Sequence, residues 1–196
     1  YILKTNDETI GGKLQWQPAS KVYLVRTKDY TLRIPLNEVA GIRVPKPKEL
    51  DGAIQQVKAG NYSAGIPVLE RIKDDYERLQ WDVPAASYLA YAHLNNGAPG
   101  KALRMCEDVI RSNPKAELDP NFASVYWEAL LKEKRIPLLK EKLQKAVREG
   151  SRELAAAAQI QRGHLEKANG KFREALVDGY LRTIVLFKRV RDAQPE

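Results

Sequence analysis

A chain of 196 residues with 43% hydrophobic content can build a core, and its mean hydropathy of −0.49 marks a polar exterior. No stretch approaches the ~18 apolar residues of a membrane span; the longest apolar run, Ile184-Val185-Leu186-Phe187, lies between Arg182 and Lys188. Cys106 is alone, which excludes an internal disulfide, and His93 and His164 have no partner at ligand spacing, so neither a metal nor a cofactor is expected.

Net charge is +8, a balance that favours acidic partners: nucleic acid, anionic headgroups or an acidic protein surface. Acidic residues are interspersed throughout, and no run of five basic residues occurs, which also fits a solvated surface. The chain opens on Tyr1. A removed export signal and a trimmed N-terminus are both compatible with that start; the first would place the protein in the periplasm or envelope.

Residues 1–44 have the short period of strands. Tyr1–Lys4, Leu14–Trp16, Lys21–Thr27, Thr31–Ile34 and Gly41–Val44 alternate or are β-branched, and polar turns separate them. Gly11-Gly12 reads as a hairpin turn, and Pro35–Val39 as a single helical turn. Strands this short leave one face wet in a single sheet, so a small barrel or meander is expected. Pro45-Lys46-Pro47-Lys48 ends the pairing, and Pro47 suits the first turn of a helix.

From Lys48 the period becomes 3.6. Gly60, Gly97, Lys134 and Gly170 divide this region into units of similar length, stepping by 37, 37 and 36 residues. Apolar-periodic runs flank each marker: Leu50 to Val57 before Gly60, Ile66 to Tyr76 after it, Leu89 to His93 before Gly97, Ala102 to Val109 after it. The third unit runs Ala123 to Leu130 and Leu139 to Ala146; the fourth runs Leu154 to Ala168 and resumes at Phe172. A fixed period of this size implies stacked supersecondary units. The expected class is thus α+β: a small barrel-like domain over 1–44, helical-hairpin repeats of about four units over 45–190, and a disordered tail over 191–196.

The helical part resembles the tetratricopeptide repeat. Leu89-Ala90, Gly97, Ala102 and Pro114 follow that family's pattern in order, as do Gly163, Gly170, Phe172 and Ala175. Small residues such as Ala90 with Ala102, or Gly163 with Ala175, would let two helices cross closely. Three departures stand out: Trp127 holds a position usually small, Lys134 replaces the turn glycine, and Gly179 would interrupt the last helix. The first 44 residues are similar to the Sm-like or SH3-like barrels that front exported bacterial repeat proteins, matching at Gly11-Gly12, Leu14, Val22–Val25, Asp29, Ile34-Pro35, Glu38-Val39 and Ile42.

Catalytic patterns are missing from the sequence: no Gly-x-Ser-x-Gly, no phosphate-cradling glycine loop, no His-Glu-x-x-His and no dinucleotide fingerprint. A non-catalytic scaffold is expected. The resemblance implies that the first helix of each pair lines a concave groove for a peptide or protein, through Ser87, Tyr91 and Asn95, then Ser124, Glu128 and Lys132, then Ile160, His164 and Lys167. A groove filled by the chain's own barrel or by a second copy, giving a homo-oligomer, is the competing arrangement. The rival class is nucleic acid, bound by Trp16, Tyr23 and Tyr30 among Lys21, Arg26, Lys28 and Arg33.

Overall fold

A computed structural model describes residues 1–187 of the chain. The tail expected over 191–196, and the last residues of a helical segment reaching 190, lie outside the described residues. The chain is an α+β mixture, with strands confined to its start and helices from Leu50 onward. It divides into two compact units, Tyr1–Tyr88 and a second beginning at Leu89.

In the first unit the strands are β1 (Ile2–Lys4), β2 (Thr9–Ile10), β3 (Lys13–Gln17), β4 (Val22–Arg26), β5 (Thr31–Pro35) and β6 (Val39–Ile42). They form two antiparallel three-stranded sheets, β2-β1-β6 and β3-β4-β5, which do not close into one hydrogen-bonded barrel. Gly11-Gly12 is therefore no hairpin: it carries the chain from β2 in one sheet to β3 in the other. Glycine is needed there because a Cβ on Gly12 would stand 2.7 Å from the Arg26 carbonyl oxygen. The turn expected at Pro35–Val39 is a 3-10 segment, Leu36–Glu38.

Both sheets feed one core. Ile2 comes from the first, and Trp16, Tyr23, Val25 and Ile34 from the second. Trp16 and Tyr23 are cross-strand partners with ring centroids 4.7 Å apart, the kind of aromatic pair that stabilises a sheet face. The sixth buried member of this core, Leu79, comes from the helical side, and Tyr76 packs against the cluster as well. The change from strand to helix falls between Ile42 and Leu50, whereas the compact unit containing the strands runs on to Tyr88.

The helices are α1 (Leu50–Lys58), α2 (Tyr62–Asp75), α3 (Asp82–Asn95), α4 (Pro99–Ser112), α5 (Pro120–Lys132), α6 (Ile136–Glu149) and α7 (Arg152–Ala168). After them come α8 (Phe172–Glu174), a π-helical segment (Ala175–Leu181) and α9 (Arg182–Leu186). Gly179 thus does not interrupt the last helix. The backbone continues through it with wider turns, which shift the following side chains around the axis relative to a straight α-helix.

The evenly spaced markers have one structural meaning. Gly60, Gly97, Lys134 and Gly170 all adopt left-handed conformations, with φ of 84°, 72°, 56° and 76°. In each case the next amide reaches back five residues: Asn61 to Gln56, Ala98 to His93 and Arg135 to Leu130 at 2.8 Å, and Lys171 to Glu166 at 2.9 Å. That is the Schellman ending of a helix, repeated at the ends of α1, α3, α5 and α7. The partner helix then starts two residues beyond each marker, at Tyr62, Pro99, Ile136 and Phe172.

Lys134 alone among these caps carries a Cβ, and left-handed backbone costs a non-glycine residue roughly 1–2 kcal/mol. Lys134→Gly is expected to raise stability by about 1 kcal/mol, read as a higher urea midpoint at unchanged slope. A lower midpoint would show that contacts of the exposed lysine outweigh its backbone strain.

Within the second unit, α5 packs on α4, α6 and α7, and α7 packs on α6 and the π-helical segment. Ala90 and Ala102 are fully buried there. The close helix approach that the structure shows in this unit is between Gly163 of α7 and Gly179, whose Cβ, if present, would lie 2.4 Å from Gly163 Cα. Ala175 is buried nearby at 2% exposure.

Candidate functional site

The second unit holds a cleft of about 680 Å³ between α5, α7 and the last helix. Its walls start from well-defined helix ends. Asp119 caps α5 by accepting the Phe122 amide at 2.8 Å, with Pro120 at the first helical position. Ser151 caps α7 by accepting the Leu154 amide at 3.2 Å. On α5 one face is buried, including Phe122, Ala123, Tyr126 and Leu130, and this leaves Ser124, Val125 and Glu128 to line the cleft. Alanines 156 and 157 of α7 keep the floor low, beside Ile160, Gln161 and His164. The last helix adds Tyr180, Thr183, Ile184 and Phe187.

Most polar groups at the cleft are engaged locally. The Ser124 hydroxyl donates to the Pro120 carbonyl at 2.7 Å, and that of Thr183 to the Gly179 carbonyl at 3.0 Å. Glu128 pairs with Lys132 at 3.7 Å, one helical turn on, with both side chains half exposed. The Glu153 carboxyl is held below its usual range by its own backbone amide and then by Ser151, as suits an acid in the first turn of a helix. His164 Nδ1 lies 3.2 Å from Gln161 Oε1, and its ring centroid stands 5.7 Å from that of Tyr180. Gln161 is only 6% exposed; its Nε2 is closed to solvent and has no acceptor among the described residues.

Of the groove residues expected from the sequence, Glu128 and His164 line this cleft, together with Ser124 and Ile160 of the same stripes. Lys132 sits just outside as the ion-pair partner of Glu128. Tyr91 is 39% exposed, and the Asn95 amide donates to the Tyr91 carbonyl at 2.9 Å; neither residue lines the cleft. Ser87 faces inward at 5% exposure, its hydroxyl donating to the Val83 carbonyl at 3.0 Å, and it does not line the cleft. Gln161 and the last helix lie outside the stripes expected from the sequence. The four-residue apolar run Ile184–Phe187 was the available signal in the sequence, and in the structure Ile184, Val185 and Leu186 of that run are exposed.

A smaller cleft of about 300 Å³ lies between α5 and α6, with Lys115, Lys142, Lys145, Tyr126 and Trp127 among its walls. Lys142 is bound to Glu117 at 2.5 Å, and burial pushes the Tyr126 hydroxyl up to about 12, so it stays protonated. Cys106 is fully buried, and burial raises its thiol to about 12, the state of an inert structural cysteine. Among the described residues, no group of three His, Cys, Asp or Glu is placed to hold a metal, and no helix is long and apolar enough to cross a membrane.

In the strand region, Trp16 and Tyr23 are core residues, 9% and 3% exposed, and the Arg78 guanidinium covers Trp16 at 5.1 Å. Of the aromatics considered for stacking on bases, Tyr30 alone is open, at 56% exposure. Comparison of the chain with protein-family models, with curated proteins and with solved structures yields no match.

Proposed function

We propose that the chain is a non-catalytic protein-interaction module that takes a peptide, or a segment of a protein partner, in the cleft between α5, α7 and the last helix. The observation that carries this reading is the cleft itself: an apolar floor with a few convergent polar groups, lined by the Ser124, Glu128, Ile160 and His164 stripes. Its polar side chains are suited to holding a ligand. Neither hydroxyl of Ser124 or Thr183 is poised against a base, since each is spent on a backbone carbonyl of its own helix.

The repeated Schellman caps, one per 36–37 residues, support reading α1 to α9 as a short array of helical hairpins similar to tetratricopeptide repeats. In such an array a groove that recognises extended segments is the ordinary mode of action. Ile160 is the variant site of choice, because it lies in the floor and is 40% exposed, so its replacement leaves the core untouched. Ile160→Arg should retain the wild-type melting midpoint and lose the partner that wild type captures from its native host. Equal recovery by both proteins would remove the cleft from the function. Steep loss of recovery with salt, unaffected by Ile160→Arg, would favour a nucleic-acid partner instead.

A further inference from the structure

We propose that the outward face of the last helix is a dimer interface, on which a second copy of this chain packs its own last helix antiparallel, about a two-fold axis near Leu181. The inference goes beyond the cleft: Val177, Leu181 and Val185, which form this face, are not among the residues lining it.

Local geometry creates the face. In a straight α-helix, residues four apart drift around the axis by about 40° per step. The wider turns of the π-helical segment Ala175–Leu181 offset that drift, so residues four apart stay nearly in line. One line turns inward: Ala175 and Gly179 are buried and Thr183 is half-buried. Another line, Val177, Leu181 and Val185, turns outward at 50%, 44% and 75% exposure. Phe172, Leu176 and Leu186, each more than half exposed, widen this apolar surface.

Packing, area and charge together select the occupant. α4 packs on α5 and α6 on α7, so the second helix of one pair is covered by the first helix of the next. Among the described residues no helix covers the last one in this way, and the shape that fits it is again a helix. Six large apolar side chains, each about half exposed, present roughly 600 Å² of apolar surface, the upper end of what a monomer shows in one patch. With a polar margin this approaches the ~800 Å² per partner of a specific interface, and homodimer interfaces are the more apolar kind. Charge gives the direction. Along one side of the outward line run Glu174, Asp178 and Arg182, with the acids toward the start of the helix and the cation toward its end. Asp178 and Arg182 stand 3.9 Å apart within one chain, both about half exposed, a weak pair that leaves each open to a second partner. Antiparallel pairing sets Asp178 of each copy beside Arg182 of the other, twice by symmetry. Parallel pairing would set acid against acid and arginine against arginine. The face is thus self-complementary, as a two-fold interface must be.

The test is sedimentation equilibrium on the full chain. Wild type should show a monomer–dimer equilibrium with a dissociation constant of roughly 1–100 μM, as suits an interface of this size. Leu181→Glu, at an exposed position, should keep the wild-type helical content and weaken association about 100-fold or more. Asp178→Arg and Arg182→Asp should each weaken it about tenfold, and the double exchange should restore it, because unlike charges then face each other again. Engineered thiols fix the direction, since Cys106 is fully buried and will not react. Under mild oxidation Leu181→Cys should link to itself, whereas Val177→Cys should link efficiently only to Val185→Cys in a mixture of the two. Ile160→Arg should dimerise as wild type does, which separates this inference from the reading of the cleft. A wild-type chain that stays monomeric tenfold above the expected range would overturn the inference. So would a dimer indifferent to Leu181→Glu, dissociated by Ile160→Arg, or linked efficiently through Val177→Cys alone. A monomeric chain whose native partner is lost on Leu181→Glu would give the face to that partner and overturn the dimer.

Discussion

Gly179→Ala is expected to cost roughly 3 kcal/mol and to undock the last helix from α7. The added methyl would lie 2.4 Å from Gly163 Cα and 2.8 Å from Gly163 N. Both are backbone atoms in the middle of a long helix, so no side chain can swing aside and the two helices must separate. From the other side, a Cβ on Gly163 would meet the Tyr180 ring at 2.7 Å. Gly170→Ala is the control that isolates packing from backbone cost. Its φ is 76°, but nothing lies within 4 Å of the added carbon, so it should cost about 1 kcal/mol. Hydrogen exchange locates the effect: in Gly179→Ala the amides of Ala175–Leu181 should lose protection selectively. Peptide binding should fall with it, because Tyr180, Thr183, Ile184 and Phe187 form one wall of the cleft. A destabilisation no larger than that of Gly170→Ala would mean the crossing relaxes without separating the helices.

That crossing also shows what the sequence could and could not disclose. A glycine inside a 3.6-residue period reads as a break, because the period carries no information about a neighbour's backbone. Gly179 is in fact where another glycine, Gly163, presses closest. The caps were far more legible, since a left-handed residue followed by a new amphipathic run leaves a signature even where lysine replaces glycine at position 134. In the strand region, five of the strands show in the alternation, whereas β2 leaves no pattern because Thr9–Ile10 is only two residues long. The two-sheet arrangement was hidden because pairing partners are not written in local composition. Of the cleft residues, Ser124, Glu128, Ile160 and His164 follow only from the resemblance to tetratricopeptide repeats, which marks residues four apart on the first helix of each pair. Gln161 does not follow from it, since it adjoins Ile160 rather than following it by a helical turn, and an unpaired donor is a property of surroundings. Ser87 satisfied the same spacing rule as Tyr91 yet points inward, because a stripe drawn through a short helix is wider than the face actually open.

Leu79→Ala should lower stability by about 3 kcal/mol, with the damage confined to the first unit. Leu79 is 6% exposed in a core otherwise built by strands, and truncating it leaves a void beside Trp16, Tyr23 and Ile34. The backbone around it cannot collapse freely to fill that void. Arg78 and Gln80, on either side, hold positive φ values of 54° and 82°, strained for residues with a Cβ. Several bonds maintain the conformation. The Tyr23 hydroxyl donates to the Arg78 carbonyl at 3.2 Å, the Arg78 amide donates to Asp82 Oδ2 at 2.9 Å, and Trp81 Nε1 donates to the Val44 carbonyl at 3.1 Å. Leucine at 79 is thus the apolar plug of a loop fastened to the sheets from both sides. Losing it should expose the Val22–Arg26 amides to exchange, while amides of α5 and α7 keep their protection. Equal protection of Val22–Arg26 in mutant and wild type would show that the two sheets close their core without the loop, and that residues 1–44 are self-sufficient.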